Sequence, residues 1–358
     1  MIRFSEMVLP GHPDKFCDQV ADAIVAECYA MDPEAYCQVE VSVWSDQVWL
    51  SGGTATRTPL PRPFVEIVRE VGREIGYLPG SAIDAHRYQV HDTVCCVCAD
   101  PRPWTRHVND QSITVGWAGY DAKVRYLPPE HFLAECFREA LSASCREGSL
   151  QGNGPDGKLL VRVRENSDGW ILEHLLVTLQ QIPELHFLDF LGSVGEVLAQ
   201  CYAQVRARDA RWSARWEQVE VCINPNGPLT NGGSDSDNGQ TGRKLAMDFY
   251  GPRVPIGGGA LFGKDLSHID RAGAYAAREA ALDAVRQGAR ECKVVLCYAP
   301  NRDLPLDVCY EIDAIKRIEQ KPHGDFAHSE MRGRWGPQSV NTGGPFAETW
   351  RLGLRGLG

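Results

Sequence analysis

Four glycines fall within seven residues and a lysine follows at once: Gly257, Gly258, Gly259 and Gly263 precede Lys264 and Asp265. Backbone without side chains can turn its N–H groups toward a bulky anion, and Lys264 adds a cation. The alanine-rich segment that ends at Arg278 has strong helix propensity, and its positive N-terminal end faces the same place. Asp265 and Asp270, between loop and helix, are carboxylates that can take Mg²⁺. Gly258 to Lys264 has the G-x-x-x-x-G-K spacing of a phosphate-cradling loop. That loop continues with Ser or Thr, and Asp265 stands there instead, which argues against an ordinary nucleotide hydrolase of that type. On this stretch alone a plainer reading stays open, a tight connection with a solvated lysine.

The rest of the chain sets the frame. Its 358 residues are enough for two or three domains, and 43% apolar with 23% charged residues is a globular composition. Acids outnumber bases, 47 to 37, so no broad attraction to nucleic acid or anionic membrane is expected and any polyanion must meet a local basic cluster. Residues 1–15 lack the basic, then apolar pattern of a secretory leader, and no uncharged apolar run approaches a membrane span. The thirteen cysteines are an odd, scattered set, and Cys95, Cys96 and Cys98 read as buried or strand-edge thiols rather than zinc ligands. A reducing cytoplasm is the expected compartment.

Periodicity supplies the elements. Phe16, Val20, Ile24 and Cys28 make one stripe of a helix over 15–31, with Asp18, Asp22 and Glu27 on its other faces. Alternation predicts strands within 38–50 around a turn at Ser45-Asp46, closed by Gly52-Gly53, and a helix over 63–75. A similar order recurs: helix 130–145, strands 158–163 and 170–178, helix 191–207; then strand 218–223, helix 270–287 and strand 292–298. The reading is an α+β chain of three related units, 1–100, 101–220 and 221–358. From Lys321 onward glycine, proline and charge dominate and no period is visible.

Two further stretches carry chemistry. Gly11-His12-Pro13-Asp14-Lys15 places imidazole, carboxylate and ammonium at a helix start, with Asp14 either a Mg²⁺ ligand or a favourable charge on the helix dipole. Residues 224–244 form a long loop of Gly, Asn and Asp in which a calcium-loop reading of Asp235 and Asp237 lacks its closing glutamate. Arg243 and Lys244 end that loop as a fork and a point charge, a pair suited to a triphosphate.

Taken together, His12-Pro13-Asp14-Lys15, Asn109-Asp110-Gln111, Thr241-Gly242-Arg243-Lys244, and the Gly-rich Gly-Lys-Asp stretch with Ile269-Asp270-Arg271 resemble the S-adenosylmethionine synthetase family in order and spacing, over roughly residues 4 to 300. The resemblance implies three intertwined α+β units with pseudo-threefold symmetry, and sites shared between two subunits of a homodimer or dimer of dimers. It implies attack of methionine sulfur on C5′ of ATP, expulsion of triphosphate, and its hydrolysis to phosphate and diphosphate, with Mg²⁺, two per site, and K⁺. Carried over, His12 assists departure of O5′, while Lys158, Arg243, Lys244 and Lys264 hold phosphates. Asp14 and Asp270 match the magnesium ligands and Glu40 the potassium-associated carboxylate. Glu6 and Asp110 line the nucleotide and substrate site, and Asp237 receives the amino-acid ammonium.

The departures gather at the amino-acid end. Thr54 replaces a glutamate that contacts the methionine amino group, a loss of about 1.5–3 kcal/mol of charge-assisted contact unless another acid serves. His268 replaces a lysine four residues beyond Lys264, Val97 stands where a glutamine is expected, and Pro10 replaces a glutamate. The segment 93–109 is a shortened counterpart of the family's gating loop, and beyond Pro300 the likeness is expected to lapse. Methionine or a methionine-like molecule is therefore the expected co-substrate of ATP. The alternatives are a different nucleophile, a triphosphate or ATP hydrolase, and a non-catalytic subunit of a genuine synthetase.

Overall fold

In the computed structural model, which describes residues 1–79, 83–150, 152–319 and 324–334, the first third holds β1 (Ile2–Val8), α1 (Pro13–Met31), β2 (Tyr36–Trp44), β3 (Gln47–Thr56), α2 (Phe64–Ile75), β4 (Gln89–Asp92), β5 (Cys95–Cys98) and the short α3 (Arg102–Thr105). There follow β6 (Ser112–Gly119), α4 (Pro129–Glu147), β7 (Asn153–Glu165), β8 (Trp170–Gln181), α5 (Phe187–Arg208) and β9 (Glu220–Ile223). The last part holds β10 (Gly239–Gln240), the short α6 (Leu245–Asp248), α7 (Ile269–Arg286), β11 (Glu291–Tyr298), β12 (Asp307–Ile312), β13 (Ile315–Glu319) and α8 (His328–Arg334).

These strands make three sheets, and each sheet takes a strand from a distant part of the chain. β1 pairs with β7 in the order β1-β7-β8-β9, β10 joins the edge of β2 in the order β10-β2-β3-β4, with β5 also on β3, and β6 pairs with β11 in the order β13-β12-β11-β6. The units are thereby intertwined. Helices cover one face of each sheet, as half-buried sheets require. α1 and α2 pack Phe16, Val20, Ile24 and Ile67 on Val39, Val41, Val48 and Leu50. α4 and α5 pack Phe137, Leu141, Phe190 and Leu198 on Leu172, Leu175 and Val177. α7 lays Ala272, Ala276 and Ala281 against Val294 and Leu296. Its small residues permit a close approach to β6: a Cβ on Gly116 would meet the Ala277 carbonyl at 2.0 Å.

The stripe Phe16, Val20, Ile24, Cys28 is buried as expected, but Asp14, Asp18 and Asp22 are buried as well. α1 is enclosed on both faces. Gly52 and Gly53 do not close β3, which runs through them to Thr56. β5 is an edge strand and its three thiols are exposed. Of the tail, α8 is described and docks on the third unit through buried Met331; the rest of the expectation for 321–358 lies outside the described residues.

Candidate functional site

One edge of β2 organises the site. Gln240 pairs with Ser42, Thr241 exchanges hydrogen bonds with Val41 at 2.9 and 3.0 Å, Val39 donates to Gly263 at 2.8 Å, and Lys264 bridges to Gln38. The loop before Lys244 and the glycine-rich loop before Lys264 thus hang side by side on four residues of one strand, about 13 Å at strand rise. They touch, since a Cβ on Gly242 would come within 2.7 Å of Ala260. Gly263 has φ +77° and room for no side chain, its Cβ position lying 2.0 Å from the Val39 carbonyl.

The buried acids of α1 hold both loops from the other side. Asp14 accepts from Gln240 N–H at 2.9 Å, Asp18 from Gly242 N–H at 2.8 Å and Asp22 from Gly263 N–H at 2.9 Å. Positions i, i+4 and i+8 share one helical face, and that spacing was the signal for an anchoring stripe that the apolar periodicity concealed. Lys15 neutralises part of it, bonding Asp18 at 3.0 Å and Asp248 at 2.9 Å. Arg271 grips Asp22 with two bonds, at 2.9 and 3.0 Å. Burial pushes the Asp18 carboxyl up to about 7, against the pull of Lys15.

The same local device opens α1 and α7. His12 caps α1, its Nδ1 accepting from Asp14 N–H at 3.2 Å, and His268 caps α7, its Nδ1 accepting from Asp270 N–H at 3.3 Å. Each acid two residues on is paired to a lysine from a glycine-containing loop, Asp14 to Lys244 and Asp270 to Lys264. Burial, then the neighbouring Lys244, lowers the His12 pKa to about 4; burial, then Lys264, lowers that of His268. Both rings are neutral at pH 7. With Nδ1 accepting, the proton sits on Nε2, which becomes a hydrogen-bond donor.

The structure brings His12, Asp14, Lys158, Asp237 and Lys244 into one electrostatic group, with Arg243 Nε 3.4 Å from Asp14. Lys264, His268, Asp270 and Asp110 form a second group. Glu40 stands exposed on the outer face of β2 between the two loop attachments, and Glu6 stands exposed on β1, diagonal to Lys158 on β7. Asp265, taken from the sequence as a possible Mg²⁺ ligand, is committed elsewhere: it is 1% exposed and accepts from the N–H groups of Cys37 at 3.1 Å and Ser267 at 2.9 Å. Ser112 donates to Asp270 at 2.5 Å. Buried Asp156 accepts from Gly233 N–H at 2.7 Å, and its pKa is raised to about 6 by burial, with Asp237 adding to the rise. Neither was found from the sequence; the spacing Asp156-x-Lys158 was the available sign. Thr54 and Val97 line one cavity of about 270 Å³ with Leu60, Phe64, Cys96 and Cys98.

Asp14 and Asp270 offer single carboxylate oxygens beside lysines, the donor type Mg²⁺ takes with substrate phosphate oxygens and water, so the residues present fit that ion. Glu40 offers an exposed carboxylate oxygen, a hard donor that suits K⁺.

Residues 1–96 match the family described as S-adenosylmethionine synthetase, N-terminal domain, and residues 231–329 match its C-terminal domain. The second match runs past Pro300, correcting the expectation that the likeness lapses there. S-adenosylmethionine synthase 1 of Rhodospirillum rubrum is 34% identical over 324 residues, 88% of this chain and 82% of that protein. A solved structure titled as an unusual S-adenosylmethionine synthetase from Campylobacter jejuni superposes with a TM-score of 0.82 at 23% identity, covering 99% of this chain and 94% of that one. Among the described residues no helix is long and apolar enough to cross a membrane.

Proposed function

Because the chain belongs to the S-adenosylmethionine synthetase family and is a methionine adenosyltransferase-like enzyme acting with ATP, we propose that it transfers the adenosyl group of ATP to methionine, displaces triphosphate from C5′ and then hydrolyses it. The observation that carries this reading is the doubled device at the starts of α1 and α7. Each places a neutral imidazole, a carboxylate and a lysine at a helix N-terminus, where backbone N–H groups favour an anion.

In the proposed reaction the methionine sulfur lone pair forms the new bond to C5′ while the C5′–O5′ bond breaks toward the triphosphate. His12 Nε2–H donates to O5′ as negative charge develops there. Lys158, Arg243, Lys244 and Lys264 bind phosphate oxygens, with each loop lysine turning from its carboxylate to the substrate. Asp14 and Asp270 would hold Mg²⁺, which when bound would supply neutralisation of the polyphosphate. Asp237 is assigned to the amino-acid ammonium, Glu6 and Asp110 to the nucleotide and substrate site, and Glu40 to K⁺ on the outer face of the β2-β3 pair. That face also exposes Trp44 and Trp49, 51% and 44% accessible, which supports closure of the site by a second copy of the chain.

Incubation of the purified full-length protein with ATP, Mg²⁺, K⁺ and methionine, followed by mass spectrometry, tests the reading. A methionine-dependent adenosyl product supports it. Phosphate release without that product, and without dependence on methionine, would replace it with a triphosphate hydrolase. A second nucleophile class is favoured by one observation: the cavity that holds Thr54 and Val97 is walled largely by apolar side chains. A panel of thioethers lacking the ammonium, competed against methionine, distinguishes the two.

A further inference from the structure

We propose a second metal site, on the outer face of the β1-β7-β8-β9 sheet, that binds a borderline divalent cation of the Zn²⁺ or Co²⁺ class through His174, Glu220 and Cys222. β8 and β9 run parallel with His174 directly opposite Glu220. Cys222, two residues along β9, projects from the same face. One ligand atom from each of the three lies within 4.8 Å of the others, and His174 Nδ1 is 3.3 Å from Glu220 Oε2. That last spacing is close to the separation of neighbouring ligands about a tetrahedral ion with bonds of about 2.0–2.1 Å.

The register explains how His174 comes to be there. Arg162 pairs with His174 and Val163 with Leu172, so Glu173 is an extra residue in β8. Such a bulge re-aims the side chains around it. A cavity of about 640 Å³ opens beside the cluster, walled by Arg162, Glu173, Ser213 and Gln218 among others. The Arg162 guanidinium on this face is engaged by Glu173, which it shares with Arg164. Nitrogen, oxygen and sulfur ligands together select against Mg²⁺ and for Zn²⁺ or Co²⁺, and three protein ligands leave a fourth position facing the cavity. A simple His174 to Glu220 ion pair would not account for a thiol within reach of both. Binding converts Cys222 to thiolate and releases one proton to solvent.

The site is independent of the adenosyl-transfer reading. It also lies where it can steady the substrate loop, because β9 leads into Asn224, whose amide bonds Leu179 N–H at 2.8 Å and Leu179 C=O at 2.9 Å at the start of the loop bearing Arg243 and Lys244.

The test is titration of the metal-stripped, full-length chain with Co²⁺ in saturating Mg²⁺. The expected result is one Co²⁺ per chain with a near-ultraviolet thiolate charge-transfer band. Cys222→Ala should remove that band and His174→Ala, which deletes a direct ligand, should weaken binding by more than the roughly 10- to 100-fold that loss of an outer-shell partner costs. The exposed Glu220→Gln, which leaves folding untouched, should weaken binding while keeping the band. Replacing Cys95, Cys96 and Cys98 by Ser should change nothing. Absence of stoichiometric binding, survival of the band in Cys222→Ala, or its loss in the Cys95, Cys96, Cys98 variant would overturn the proposal.

Discussion

The ammonium of Lys264 stands 2.5 Å from Oδ2 of Asp270, and Lys244 makes the same kind of contact to Asp14 at the start of another helix. Without ligand, two of the cations assigned to phosphate, Lys244 and Lys264, are therefore paired with the carboxylates assigned to metal. Exchange of partners needs no net creation of charge in a largely water-poor site. Lys264→Ala should lose ATP-dependent turnover and leave a partly buried carboxylate short of a partner, destabilising the ligand-free protein by about 1–3 kcal/mol. Lys264→Ala with Asp270→Ala should be less destabilised than the two single losses added together. Urea unfolding of the four proteins in a double-mutant cycle measures this, and strict additivity would contradict the coupling.

Asp22 ties Arg271 of α7 to Gly263 of the glycine-rich loop from within α1. Both charges are nearly excluded from solvent, at 4% exposure each. Asp22→Asn keeps the shape but strands the guanidinium, at a cost of about 3–5 kcal/mol. We expect the unfolding free energy measured by chemical denaturation to fall by that amount. A shift under about 1 kcal/mol would mean that Arg271 finds another acceptor.

Part of this was legible in the sequence and part was not. The alternation of β2 announced itself because that strand buries one face, and the stripe Phe16, Val20, Ile24, Cys28 because the second buried face of α1 is lined by acids rather than apolar residues. β6 did not, because it is buried on nearly every position and so has no alternation to read. The pairings β1 with β7, β6 with β11 and β10 with β2 join residues far apart in the chain, and two-residue β10 carries no pattern at all. His12, Asp14, Lys244, Lys264 and Asp270 were singled out because unusual residue types cluster beside glycine, and the fold groups them as two helix-start clusters. Asp18 and Asp22 looked like solvent-facing acids, and only the fold reveals that they bind backbone N–H groups. The assignment of Asp265 went astray for the same reason: a carboxylate's type does not disclose that Cys37 and Ser267 already occupy it.

Asp156 gives a pH dependence with a definite sign. Burial and Asp237 raise its pKa from 3.8 to about 6. The folded protein then holds the proton more tightly than the unfolded chain. Its contribution to stability is fully present below about pH 3.8 and is lost as pH rises through about 6, a span of roughly 1–3 kcal/mol. Asp156→Asn should flatten the fall in stability between those limits relative to the parent. Parallel curves of unfolding free energy against pH would show that Asp156 does not titrate in that window.

His268 caps α7, and substitution can separate that duty from the role toward substrate proposed for it. As the cap of α7 its Nδ1 satisfies the Asp270 N–H, and its ring sits in the electrostatic group of Lys264, Asp270 and Asp110. His268→Asn retains a side-chain acceptor suited to the cap, so stability should stay within about 0.5 kcal/mol of the parent, whereas His268→Lys has no acceptor and should lose about 1 kcal/mol. Activity should divide differently. If His268 acts on the substrate, His268→Asn lowers adenosyl transfer by about tenfold or more despite its intact cap, because the shorter amide does not place a donor where the ring nitrogen stood. Thermal unfolding beside product formation separates the duties: a loss of activity that merely tracks stability across both variants would reduce His268 to a capping residue.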